Sequence, residues 1–226
     1  MRNLIALIII CIFAFSCGTD TSEKKLCSET DTIINFNKTW VFDTARLSNY
    51  KSTELAETYQ FGAQETFDDP SVTRQGLNLV FTLLNGDTLT LSNDTSDSDA
   101  YVSFLYCKKL KALNHWLING IYYEWNQAEI ISCANGARTP VLGYPLFSPD
   151  NKHFICGSFD ESGEGMNGIE LYEIKGTTIK LLMRRELRIW GPSRLGWIDN
   201  DSVLIERYFM LNSKPGYVKT CITPRP

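Results

Sequence analysis

The sequence predicts an all-β protein built from short antiparallel strands. Apolar and polar residues alternate with a period of two in many short runs, and Gly, Asn, Asp and Pro residues separate these runs. Helical periodicity is nearly absent, and the best short helix is predicted at residues 52–60. The chain has 226 residues, of which 43% are hydrophobic and 21% charged, so its composition is that of a folded globular protein. The formal net charge of -4 argues against nucleic acid as a partner.

The N-terminal segment has the pattern of a secretory leader. Arg2 and the amino terminus supply positive charge, and residues 4–15 form an unbroken apolar run of 12 residues. This run fits the apolar core of a signal peptide and is too short to span a bilayer, which requires about 20 residues. Residues 1–16 are therefore predicted to be a signal peptide that is removed from the mature protein.

The end of this leader, Ala14-Phe15-Ser16-Cys17, resembles the lipobox of bacterial lipoproteins, in which the Cys receives a diacylglyceryl group before cleavage. The resemblance implies that Cys17 carries the lipid, with acyl chains such as palmitate, and that residues 17–32 contain this Cys and a flexible tether. It also implies a location at the cell envelope, on the periplasmic or surface face of an outer membrane, which Gly18 favours. Ordinary signal-peptidase cleavage before Cys17 is the alternative.

Residues 33–226 are predicted to form a single β-rich domain. Its clearest hairpin has alternating apolar residues at 77–83 and 89–91, on either side of Asn85-Gly86. An Asn-Gly pair accepts the two positive φ angles of a type I′ turn, so this turn type is predicted. Further strand pairs are predicted around the turn residues 119–120, 134–136, 148–152, 176 and 199–201.

Two runs in the second half of this domain carry a family resemblance. The sequences LFSPDNKHFICGS at 146–158 and GIELYEIKGTTIKLL at 168–182 resemble a β-propeller blade of the TolB-like or WD-repeat kind. A degenerate copy follows at 195–208, at a spacing of 50 residues that suits a four-stranded blade. The resemblance begins at about residue 107 and implies a small or irregular β-propeller-like stack of antiparallel sheets. A β-sandwich is the alternative.

The sequence lacks the common catalytic motifs. It contains no Gly-x-Ser-x-Gly, Walker, His-Glu-x-x-His or Cys-x-x-Cys pattern, so no cofactor and no catalytic residue is predicted. The two histidines, His115 and His153, lie in apolar strand contexts and are interpreted as structural. Cys107 and Cys156 lie in similar runs, where a free Cys behaves as a small hydrophobic residue.

The aromatic residues form the first candidate binding site. A stacking platform for sugar rings is predicted if several of them are exposed together. The candidates are Trp116, Tyr122, Tyr123, Trp125 and Trp190. Alternation within strands favours the other interpretation, in which such rings fill the packing between sheets.

An acidic, Gly-rich loop at residues 160–165 is the second candidate. Oxygen-bearing side chains at alternate positions, Asp160, Ser162 and Glu164, resemble the start of a calcium loop. Leu171 occupies the position where such a loop needs a bidentate Glu. No metal is therefore assigned, and an exposed loop between strands is the alternative.

Two functions from different classes are compatible with these features. The first is a non-catalytic, membrane-tethered envelope lipoprotein that acts as a binding module for a protein or a glycan. Its contact with the membrane is then the lipid anchor. The second is an envelope hydrolase with Asp160, Glu161 or Glu164 in an aromatic-lined cleft, which requires two carboxylates about 5–10 Å apart. The missing catalytic motifs favour the first function.

Overall fold

The computed structural model describes residues 31–35, 38–44, 55–57, 65–160, 165–188, 190–209 and 215–221. These residues form antiparallel β-strands joined by turns and loops, with no helix among them, so the predicted all-β class is confirmed. The strands in chain order are β1 (Asp31–Asn35), β2 (Lys38–Thr44), β3 (Ala56–Glu57), β4 (Val72–Gln75), β5 (Asn78–Thr82), β6 (Thr88–Ser92), β7 (Val102–Leu110), β8 (His115–Tyr122), β9 (Asn126–Ser132), β10 (Arg138–Val141), β11 (Leu146–Phe147), β12 (His153–Ser158), β13 (Gly168–Lys175), β14 (Thr178–Glu186), β15 (Trp190–Asp199), β16 (Ser202–Phe209) and β17 (Pro215–Cys221).

The strands of the described ranges are arranged in four antiparallel sheets. Three sheets are meanders of consecutive strands, with the orders β4-β5-β6, β10-β9-β8-β7 and β11-β12-β13-β14. The fourth sheet has the order β1-β2-β17-β16-β15-β3. Within it Thr44 of β2 lies opposite Val218 of β17, so strands from both ends of the described chain share one sheet.

Among the described residues, buried apolar side chains form three clusters, and each cluster lies between two neighbouring sheets. The first joins β4–β6 to β7–β10 and includes Phe81 and Trp116. The second joins β7–β10 to β11–β14 and includes Phe154. The third joins β11–β14 to the six-stranded sheet and includes Val203. The four sheets therefore pack face to face in series, and the burial of these apolar faces drives the packing.

The β4–β6 sheet, at one end of this series, is covered on one face only. Leu79 and Phe81 are buried beneath β7–β10, whereas Thr73, Thr82 and Thr90 on the opposite face are exposed. The described part of the chain therefore forms a series of packed antiparallel sheets, and this end sheet keeps one face exposed.

The predicted hairpin around Asn85-Gly86 is confirmed, but its predicted turn type is wrong. Strands β5 and β6 pair as far as Thr82 opposite Thr88. The Gly86 amide donates to the Leu83 carbonyl at 3.0 Å, and Gly86 has a φ of 87°. Of the Asn-Gly pair only the Gly has a positive φ. The loop therefore has the form of a type I turn followed by a left-handed Gly. This form is common in hairpin loops that are longer than the two-residue loop of a type I′ turn.

The turn predicted at Asn119-Gly120 is wrong. Both residues are buried in the middle of β8, where Asn119 lies between Leu105 of β7 and Ala128 of β9. The chain reverses later, where the Tyr122 amide donates to the carbonyl of Trp125 at 2.8 Å. Gly120 instead provides room, because a Cβ there would lie 3.0 Å from the Tyr122 ring.

The other predicted turns are confirmed, and one predicted helix is not. Gly136 and Gly176 have positive φ angles of 71° and 62°, and Asn151 has one of 56°. The helix predicted at 52–60 is wrong for Ala56–Glu57, which form β3 against β15. Pairing with an open sheet edge outweighs the weak local preference for helix.

The predicted signal peptide and the lipid-attachment residue Cys17 lie outside the described residues. Within the ranges given above, no helix combines the length and the apolar character needed to cross a membrane.

Candidate functional site

Exposed aromatic side chains lie together at the turn between β8 and β9. Tyr123 is 56% exposed and Trp125 is 50% exposed. Trp125 stacks on Tyr122 with ring centroids 3.9 Å apart and ring planes within 6° of each other. We call Tyr122, Tyr123 and Trp125 the aromatic tip. Of the predicted platform residues, Tyr122 and Trp125 stack on each other, and the exposed Tyr123 lies between them in the chain.

The Tyr122 ring is held from below and from the side. It lies across Gly120 of its own strand, and the ring of Phe104 meets it edge-on at 6.4 Å and 85°. The guanidinium of Arg138 lies 5.4 Å from the centre of Phe104 and donates to both carboxylate oxygens of Glu129, at 2.6 and 2.7 Å. Trp125 therefore stacks on Tyr122, a strand residue whose ring is itself held by neighbours on the sheet.

The electrostatics of this support follow from its burial. Burial raises the pKa of Tyr122, and the Glu129 carboxylate raises it further, while Arg138 opposes the shift. The hydrogen bonds to Glu129 raise the pKa of Arg138, against the effect of its own burial. The Tyr122 hydroxyl stays neutral and Arg138 stays charged at physiological pH.

The other two predicted platform residues are core residues, and the platform prediction is wrong for them. Trp116 is 1% exposed, packs on Phe81 at 5.0 Å and donates its indole N–H to Asp69 at 2.9 Å. Trp190 is 5% exposed, with the Arg207 guanidinium 5.6 Å from its ring centre. Both rings lie in strands that are covered by neighbouring sheets, whereas Trp125 lies in a turn.

The acidic loop provides no described metal site. The Asp160 carboxylate accepts a hydrogen bond from the Gly165 amide, and the Asp160 amide donates to Asn167. Asp160 therefore closes its own loop. Ser162, Glu164 and the hydrolase candidate Glu161 lie outside the described residues. Among the residues that are described, no three His, Cys, Asp or Glu side chains are grouped to hold a metal ion.

A buried carboxylate that the sequence did not reveal lies in β13. Glu170 is 0% exposed and accepts hydrogen bonds from the Leu142 amide at 2.8 Å and the Tyr172 hydroxyl at 2.9 Å. Arg184, opposite it in β14, forms an ion pair with it. The Arg184 guanidinium therefore neutralises this buried carboxylate.

A second buried carboxylate, Asp69, ties the segment before β4 to the β7–β10 sheet. It accepts hydrogen bonds from Trp116 and from the Ser71 amide, both at 2.9 Å, and pairs with Lys109 at 2.7 Å. Burial alone would raise the pKa of Asp69, but these donors outweigh burial and lower the pKa to about 2. The neighbouring Asp68 accepts a hydrogen bond from Tyr106.

The histidine and cysteine side chains of the described core have structural surroundings. His115 is buried with its Nδ1 2.7 Å from the Leu113 carbonyl, and burial lowers its pKa. Cys107, Cys133 and Cys156 are free thiols. Burial raises the pKa of Cys133 to about 11 and that of Cys156 well above its ordinary value, so these thiols stay protonated and unreactive.

The chain matches no protein-family model, and a search of curated proteins finds no related sequence.

Proposed function

We propose that this protein is a non-catalytic binding module that is tethered to a membrane of the cell envelope by lipid on Cys17 and holds a glycan or a protein through its aromatic tip. The observation that carries the proposal is the exposure of Tyr123 and Trp125 on an ordered support. Large aromatic side chains that stay half-exposed together are candidates for contact with a partner.

Two physical features of the tip support binding. Trp and Tyr are enriched among the side chains that dominate binding energy at interfaces. The Tyr122 ring is already fixed by Gly120, Phe104 and Trp125, so a partner meets an ordered surface and little conformational entropy is lost on binding.

The partners of the described carboxylates favour binding over catalysis. Glu170, Asp69 and Glu129 each bind cations or N–H groups of the chain itself. The Asp160 carboxylate is occupied by the Gly165 amide. The hydrolase alternative needs two carboxylates that face one substrate. Of its candidates, Asp160 bonds to the Gly165 amide, and Glu161 and Glu164 lie outside the described residues, so the described geometry favours binding.

Trp125→Ala is expected to weaken retention of the detergent-solubilised protein on immobilised envelope extract at least about 10-fold, or about 1.4 kcal/mol, because it removes the exposed ring of the stack. Detergent covers the acyl chains, so retention reports the tip and not the anchor. Leu84→Ala is the matched control, since Leu84 is an exposed apolar side chain at another hairpin turn. If Trp125→Ala is retained as strongly as Leu84→Ala and the wild type, the aromatic tip does not bind the extract and the proposal is contradicted.

Cys17→Ala is expected to move the protein from the membrane fraction to the soluble fraction of the envelope. Each buried methylene of an acyl chain contributes roughly 0.8 kcal/mol, so several chains hold a protein stably and their loss releases it. Intact-mass measurement of the wild type should give cleavage before Cys17 and the added lipid. A retained leader, or a Cys17→Ala variant that still sediments with membranes, contradicts the anchor.

A further inference from the structure

We infer that the ligand of the aromatic tip is a carbohydrate, bound by stacking of one pyranose ring on the outward face of Trp125. The inference rests on the proposed function, since it names the class of ligand for the same tip. It specifies a neutral sugar with an apolar C–H face, such as a β-linked glucose unit, and not an anionic sugar. The half-exposed ring, its rigid support and the local charge each favour such a sugar.

Trp125 is half-exposed, and the ring face that Tyr122 does not cover is the surface we assign to the sugar. The inner face of Trp125 is covered by Tyr122, parallel within 6° and 3.9 Å away, which agrees with an exposure of 50%. The face of an aromatic ring carries partial negative charge, and the C–H groups on one side of a pyranose carry partial positive charge. A single sugar ring is also about as large as the indole that it would cover. The geometry of Trp125 is therefore complementary to one sugar face.

The support fixes the orientation of this face. The Tyr122 ring rests on Gly120, where a Cβ would lie 3.0 Å away, and Phe104 meets it edge-on. Stacking on Tyr122 then sets the plane of Trp125. A weakly bound ligand such as a sugar gains from a ring that is ordered in advance, because less entropy is lost on binding.

The surroundings of the ring suit hydroxyl groups. Tyr123 and Glu124 are exposed and directly precede Trp125 in the turn. A phenol hydroxyl both donates and accepts hydrogen bonds, and a carboxylate accepts them from sugar hydroxyls. A protein partner, in contrast, requires an interface of about 800 Å² on each side. The exposed side chains of Tyr123, Glu124 and Trp125 cover much less area than this and include a carboxylate. They therefore match a small polar ligand better than a protein surface.

The charge at the tip selects against anionic sugars. Arg138, the cation that contacts the support, already donates to both oxygens of Glu129. Glu124 places a carboxylate beside Trp125 in the sequence of the turn. An anionic sugar bound at this turn therefore carries the same sign of charge as Glu124, and Arg138 is already paired with Glu129, whereas a neutral sugar meets no such repulsion.

The test is titration calorimetry of the detergent-solubilised full-length protein with cellohexaose, hexa-N-acetylchitohexaose and the β-1,4-glucuronate hexamer. We expect a neutral hexamer to bind and the glucuronate hexamer to bind at least about 10-fold more weakly. Trp125→Ala should weaken binding about 10-fold or more, the size of effect expected when a stacking ring is removed. Trp125→Leu should lose as much, because Leu is apolar but not flat, and Trp125→Phe should lose less. Leu84→Ala should bind as the wild type does.

A second variant tests the support without removing a ring. Gly120→Ala introduces a Cβ that displaces the Tyr122 ring, so the plane of Trp125 tilts and sugar affinity should fall several-fold. The near-ultraviolet circular dichroism of the stacked rings should change with it. If Gly120 acts only in folding, the variant changes its unfolding temperature while the folded protein keeps its sugar affinity.

The outcomes separate the ligand class from the proposed function. If no neutral hexamer binds, or if Trp125→Ala binds one as well as the wild type, the carbohydrate inference is overturned. If the carbohydrate inference fails but Trp125→Ala loses retention on envelope extract, the tip binds a different class of ligand. In that case, retention of Trp125→Leu on the extract would identify an apolar contact with a protein. If Trp125→Ala keeps its retention on envelope extract, the proposed function itself fails. Thermal unfolding of each variant checks that it is folded.

Discussion

Glu170→Leu is expected to lower the free energy of unfolding by about 2–5 kcal/mol. The substitution removes the acceptor for the Leu142 amide and the Tyr172 hydroxyl, which lie 2.8 and 2.9 Å from the carboxylate. Each donor that stays buried without an acceptor costs about 1–3 kcal/mol. The third partner, Arg184, is half-exposed and regains water, so it adds little to the loss. Urea unfolding followed by tryptophan fluorescence measures the difference.

Glu173→Leu is the matched control for this prediction. Glu173 lies on the same strand, but its ion pair with Lys175 is at the surface, with the two charged groups 3.1 Å apart. Exposed pairs of this kind contribute little, so we expect a change within about 0.5 kcal/mol. If the two Leu variants unfold at the same urea concentration, the buried network around Glu170 contributes no special stability.

Alternation could predict the strands of this fold but not how many faces each sheet buries. In the run GIELYEIK, Glu170 alternates with the apolar residues Ile169 and Leu171, a pattern that is typical of a solvent-facing position. The structure covers both faces of this sheet, so Glu170 is buried and takes Arg184 as its partner. A sheet between two other sheets depends on long-range packing, which a local pattern does not contain.

The aromatic tip shows which part of the candidate site could be predicted. The sequence singles out Tyr122, Tyr123 and Trp125 together with Trp116, because all are aromatic residues in one short stretch. It places the turn at Asn119-Gly120, so it cannot separate the exposed rings from the buried one. In the structure Asn119-Gly120 lies within β8, where the Tyr122 ring lies across Gly120, and this packing cannot be read from the Asn-Gly pair alone.

Asp69→Asn is expected to lower the free energy of unfolding at neutral pH by about 2 kcal/mol and to remove most of the acid sensitivity that this residue gives the fold. The folded pKa of Asp69 is about 2, against an ordinary value of 3.8, because Lys109, Ser71 and Trp116 outweigh burial. Each unit of pKa difference corresponds to about 1.4 kcal/mol. Asn still accepts the Trp116 hydrogen bond but loses the ion pair with Lys109.

The sign of the pH dependence follows from the direction of this shift. A carboxyl with a lowered folded pKa contributes its full stability above the unfolded pKa of 3.8 and loses it as the pH falls through about 2. Wild-type stability should therefore fall more steeply than that of Asp69→Asn between these values, in urea unfolding at fixed ionic strength. Asp99→Asn, which removes the same charge from an exposed turn, should keep the wild-type slope. Parallel acid profiles for wild type and Asp69→Asn would mean that Lys109 and Trp116 do not hold this carboxylate in solution as they do in the structure.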